Sequence, residues 1–168
     1  MIFKPLYFLA LLCLLSLRLL SSETEVHQKV PLAIALPYLQ TIETDAITMG
    51  SGPVKVYVFV DPYCPHSRNF LSLIAESKKM RMRYTYKIFL YTLPRMQSEV
   101  MVSYIYGSPK PLAVLLDVMV HGVDVTPYSS KQHQEKIFKI AAVAKQIDIY
   151  KRPYLIMVKK PKKKRAKL

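Results

Sequence analysis

The chain has 168 residues, 51% of them hydrophobic, which is enough for one domain with its own core and too apolar for a disordered polymer. Twelve Tyr and six Phe without any Trp, together with only four Gly and two Cys, exclude collagen-like, linker-like and disulfide-scaffold classes. The net charge of +14 is unevenly placed: Lys4 and Arg18 supply two charges and residues 159–168 supply seven, leaving +5 for residues 23–158, a mildly basic body rather than a nucleic-acid surface.

Residues 1–22 read as a secretory signal peptide. Lys4 precedes a mostly apolar run from Pro5 to Leu17, too short to span a bilayer comfortably, and Ser21-Ser22-Glu23 follows. A buried N-terminal helix and an uncleaved anchor that also uses Leu19 and Leu20 are the alternatives. Cleavage would remove Cys13 and leave Cys64 as the one thiol of a periplasmic protein, in a compartment that favours disulfides.

Residues 23–45 form an N-terminal lead-in, in which Leu32, Ile34, Ala35, Tyr38, Leu39 and Ile42 recur near helical spacing while Pro37 argues for a break. Ala46 to Met49 is a short strand candidate, and the turn Gly50-Ser51-Gly52-Pro53 suggests a hairpin into Val54–Val60, an apolar β-branched run expected at the centre of a sheet. A helix to about Lys79 follows Cys64, then a strand over Tyr84–Tyr91 ended by Leu93-Pro94. Helices are expected over Gln97–Tyr106, Pro111–Val120 and Gln132–Ile147, with a loop from Gly122 to Ser130 and a last strand over Tyr154–Val158. The order predicts an α/β domain over residues 46–158 with a helical insertion at about 95–147.

Cys64 stands where a strand hands over to a helix, with Pro65 suited to the first helical position. A thiol at a helix N-terminus has its thiolate stabilised by the partial positive charge there, which lowers its pKa; protonated His66 adds to the effect and Arg68 acts at longer range. The ionised sulfur attacks disulfides. The plainer alternative is a small buried hydrophobe. His27, His121 and His133 are scattered without metal-ligand spacing, so no metal site is expected, and no Gly-rich phosphate loop is present; no cofactor is implied.

The run Val56-Tyr57-Val58-Phe59-Val60-Asp61-Pro62-Tyr63-Cys64-Pro65-His66-Ser67-Arg68-Asn69-Phe70 resembles the active-site segment of the thioredoxin-fold periplasmic disulfide isomerases of the DsbC and DsbG type. The resemblance covers residues 46–158. It implies Cys64 as nucleophile with His66 and Ser67 beside it, and a substrate groove shaped by a cis Pro153 with Arg152 and Tyr63. Arg152 departs from the family's usual Thr; it could crowd the groove or stabilise the thiolate from across the site.

Two further departures matter. Ser67 replaces the second cysteine of the family's Cys-x-x-Cys, which removes a net oxidase and leaves monothiol exchange, with Ser67 a potential hydrogen-bond donor to the thiolate. The family's final strand and helix are missing after Val158, so a sheet edge and a face lose cover; either a strand from a partner protein or residues 31–49 would supply it. Residues 159–168 read as a basic disordered tail that could contact an anionic surface, with no specific nucleic-acid partner.

The resemblance therefore implies an exported protein exchanging disulfides with cysteine-bearing exported substrates, with a redox partner or glutathione resolving the mixed disulfide. The competing reading is a redox-inactive thioredoxin-fold component, structural or chaperone-like, of an envelope, secretion or conjugation assembly.

Overall fold

The computed structural model describes residues 27–129 and 133–158, so the expected signal peptide over residues 1–22 and the tail over 159–168 lie outside the described residues. Four strands form one sheet in the order β1-β3-β2-β4: β1 (Ile47–Met49), β2 (Val54–Val60), β3 (Tyr84–Leu90) and β4 (Tyr154–Val158). β2 runs parallel to β3, with Val54 opposite Tyr84 and Val60 opposite Leu90, and antiparallel to β4. Its central place explains its continuous apolarity, since Val56 to Val60 are all buried.

The two faces of the sheet are told apart by side-chain contacts. Tyr57 and Phe59 point to one face, where Phe59 packs on Phe89 with ring centroids 5.1 Å apart and Tyr57 Oη donates to Glu43 Oε2 at 2.6 Å. Lys55 Nζ donates to Glu43 Oε1 at 2.6 Å, so the connector after helix α1 (Leu32–Thr41) is tied to the central strand. Ala35, Leu39 and Ile42 are buried in the same core as the strands, which makes the lead-in part of the folded unit. Pro37 lies inside α1 and removes one ladder bond, a loss of about 3 kcal/mol that burial of the apolar stripe offsets.

Val56 and its register partners Tyr86 and Met157 lie on the other face, where Phe70 of α2 (Pro65–Glu76) meets the edge of Tyr86 at 6.2 Å. α2 stops three residues before the expected end because Ser77 caps α3 (Lys78–Arg83), its hydroxyl accepting from Met80 N–H at 3.3 Å. The insertion between β3 and β4 contains α4 (Glu99–Gly107), α5 (Pro111–Leu116) and α6 (Gln134–Gln146). α5 loosens into a wide turn over Asp117–His121 that Gly122 ends at a φ of 66°.

The expected hairpin does not form. β1 pairs with β3, Thr48 opposite Lys87, because β3 is inserted between β1 and β2. The intervening turn crosses the start of β3 instead: Ser51 N–H donates to Arg81 O and Gly52 N–H to Tyr84 O. β1 thus covers the β3 edge, whereas residues 31–49 do not pair with β4, whose outer edge has no strand partner among the described residues. Leu155 and Met157, on the α2 face of β4, are 43% and 42% exposed.

Candidate functional site

Cys64 is the N-cap residue of α2, with Pro65 at the first helical position and Arg68 N–H closing the first turn on Cys64 O at 3.1 Å. The helix N-terminus therefore begins at the sulfur-bearing residue, its first amides left without helical partners. Across from it, Cys64 Sγ donates to the carbonyl oxygen of Arg152 at 3.8 Å, and the Arg152–Pro153 peptide bond is cis. The sequence places these residues 88 positions apart; the pairing of β2 with β4 brings them together.

Cys64 is 2% exposed. It forms part of the wall of a groove of about 570 Å³ together with His66, the Leu93–Arg95 segment and the Tyr150–Arg152 segment. His66 is exposed and faces this groove. Tyr63, 40% exposed, lines a separate depression with Arg68 and the Gly122–Val125 loop, so it does not join the Cys64 groove.

Ser67 is fully buried, and its Oγ accepts from Asp61 N–H at 3.2 Å; among the described residues this is its hydrogen bond, and the expected donation to the sulfur is not made. Arg152 turns its side chain inward rather than into the groove, whose wall it helps to form, and its charge and that of Cys64 favour each other. Only 7% exposed, it lays its guanidinium on the Tyr91 ring and donates to the carbonyls of Tyr91, Ile149 and Lys151 at 2.8, 3.1 and 2.8 Å. Burial pushes its pKa down to about 10, against the charges of Asp61 and Cys64 that favour the cation. Arg68 is held away, donating through Nε to Pro62 O at 2.8 Å.

Asp61, read from the sequence only as part of a motif, organises the site. Fully buried, its Oδ1 accepts from Tyr63 N–H at 2.8 Å, while Oδ2 accepts from Leu93 N–H at 2.6 Å and Ser98 Oγ at 2.8 Å. One carboxylate thus joins the loop before Cys64, the wall after β3 and the entry to α4. A second unforeseen contact braces the opposite wall: His27 stacks on Tyr150 at 4.3 Å, and Asp148 accepts from Gln28 N–H at 2.9 Å while pairing with His27 at 2.8 Å. The proline-bounded Leu93-Pro94 segment was the one sequence sign of the wall after β3.

No family model matches the sequence, and no curated protein matches it. Solved structures do match the fold. They include a disulfide interchange protein from Neisseria gonorrhoeae, with 20% identity and a TM-score of 0.54 over 67% of this chain and 79% of that one. ScsC of Proteus mirabilis in a transitional conformation matches at 12% identity and a TM-score of 0.56, over 88% and 79% of the two chains. BcfH of Salmonella enterica Typhimurium matches at 12% identity and 0.55, over 95% and 80%. The fold is thioredoxin-like, with a helical insertion between β3 and β4. No helix among the described residues is long and apolar enough to cross a membrane.

Proposed function

We propose that the chain carries out thiol–disulfide exchange through Cys64 as a single nucleophile. The observation that carries this reading is the seat of the sulfur: at the N-terminus of α2, 3.8 Å from the carbonyl that precedes cis Pro153, on the wall of a groove. The thiolate attacks a substrate disulfide, forming a Cys64–substrate disulfide and releasing one substrate thiolate. When a second thiolate of the same substrate displaces Cys64, the disulfide is rearranged without net electron transfer; when glutathione or a redox partner displaces it, that thiol is oxidised and the substrate is left reduced at one cysteine. With Ser67 in place of a resolving cysteine, the reaction is isomerisation rather than oxidation.

The Asp61-Pro62-Tyr63-Cys64-Pro65 run supports kinship with the DsbC and DsbG type, and the leader-like residues 1–22 support export to the periplasm, where cysteine-bearing substrates are oxidised. The test is recovery of activity by a scrambled multi-disulfide protein. Wild type is expected to accelerate it and Cys64→Ala to abolish the acceleration; equal activity of the two would reduce the protein to a chaperone or scaffold.

A further inference from the structure

We propose that the substrate met by Cys64 is acidic: an extended polypeptide segment with Asp or Glu close to its disulfide. The inference rests on the exchange reading above and goes beyond it by naming the class of segment the groove accepts.

Pro153 does not line the Cys64 groove, whose wall on this side stops at Arg152. A second depression of about 330 Å³ adjoins it, sharing Tyr150 and Lys151 and continuing past Pro153 along Tyr154 and Leu155 to Lys29. Together they make a trough that passes the sulfur at one end and the start of β4 at the other. Its apolar surface comes from Leu93, Pro94, Tyr150 and Leu155.

Its charge is one-sided. Arg95 stands on the wall after β3, Lys151 on the wall before β4, and Lys29 beyond Pro153; all three are exposed, and none has a carboxylate partner among the described residues. His66 adds a fourth basic group near the sulfur. No Asp or Glu lines either depression. The Asp61 carboxylate behind the wall is buried and taken up by Tyr63, Leu93 and Ser98, and Asp148 lines an adjoining hollow, where it is bonded to His27 and Gln28. Exposed acids elsewhere, such as Glu99, Asp117 and Asp124, sit in the helical insertion. With the body carrying only +5, this concentration around the sulfur is a local feature, and a trough lined by one sign of charge raises the encounter rate of the opposite sign. A Glu or Asp flanking the attacked disulfide would reach Arg95 or Lys151 while the chain lies on Tyr150 and Leu155.

The experiment uses the full chain and two cysteine peptides of equal length, each activated as a mixed disulfide with a chromophoric thiol. The peptides differ only in carrying Glu or Lys beside the cysteine. Cys64 is expected to exchange with the Glu peptide at least about tenfold faster at low ionic strength, with the gap closing as salt screens the charges. The R95E/K151E variant is expected to invert the preference and R95Q/K151Q to reduce it to what Lys29 and His66 supply, with circular dichroism verifying that both are folded. Equal rates for the two peptides with wild type, or an unchanged preference in folded R95E/K151E, would overturn the acidic-substrate inference while leaving exchange intact. Exchange with neither peptide by the folded protein would instead overturn the exchange reading, and this inference with it.

Discussion

Arg152 lies over Tyr91, its guanidinium carbon 4.0 Å from the ring centroid, while its Nε donates to the Tyr91 carbonyl at 2.8 Å. The end of β3 is thereby fastened to the residue whose own carbonyl meets Cys64 Sγ. The side chain acts as a brace behind the site, and the backbone of the same residue faces the groove.

Replacing Arg152 by Met keeps the apolar stem but strands several buried carbonyls without donors. A loss of about 2–4 kcal/mol is expected in denaturant unfolding. Arg152→Lys keeps the charge but not the planar fork, and should recover only part of the loss. Full stability in both variants would show the brace to be dispensable.

Asp61→Asn tests the other fastening. An amide offers one oxygen to three donors and turns its NH₂ toward either Tyr63 N–H or Leu93 N–H, opposing donor to donor. Destabilisation of about 3 kcal/mol is expected. Exchange at Cys64 should slow as well, because Leu93 forms the groove wall; an unchanged rate in the folded variant would separate the carboxylate from the site.

Alkaline pH is expected to unfold the protein. Burial raises the phenol pKa values of Tyr57, Tyr86, Tyr106 and Tyr154 above 10, with Glu43 adding to the shift at Tyr57. A raised folded-state value means that the unfolded chain releases these protons first, so the stability is fully present below about pH 10 and declines as pH rises through the folded values. Arg152 works oppositely: its value, lowered to about 10, makes the unfolded chain the tighter proton binder above that pH. Four groups against one give a net loss. Phenolate absorbance and circular dichroism should therefore change together; complete phenol ionisation in a folded protein would contradict this.

Gly52→Ala is expected to cost about 1–3 kcal/mol by overpacking. A Cβ at Gly52 would meet the backbone of Arg83 and Tyr84, which cannot swing aside as a side chain would. At Gly50 the positive φ of 82° adds to a similar crowding against Arg81 and Tyr84, so Gly50→Ala should be at least as damaging. Thermal melting of both variants against wild type decides it.

Much of the architecture was legible because it is local. The Val54–Val60 run, Pro65 at the first helical position after Cys64 and the apolar spacing of Ile140, Ala144 and Ile147 each report on neighbours a few residues away. The hairpin expected across Gly50–Pro53 failed for the opposite reason. Which strand pairs with β1 depends on β3, more than thirty residues later, entering between β1 and β2, and no period or turn residue carries that information.

The site divides the same way. By itself the sequence determined that Cys64 opens a helix after a central strand, with Pro65 next to it and Ser67 three residues on, since adjacency along the chain is enough to say so. Only the tertiary structure decided what surrounds it: that Asp61 holds three segments at once, that Arg152 turns inward, that Tyr63 faces another hollow, and that Arg95 and Lys151 line the groove beside Cys64. Those facts arise from groups distant in sequence meeting at the ends of paired strands. The direction in which a long polar side chain turns is set by which buried carbonyls need a donor, and that need exists only once the chain has folded.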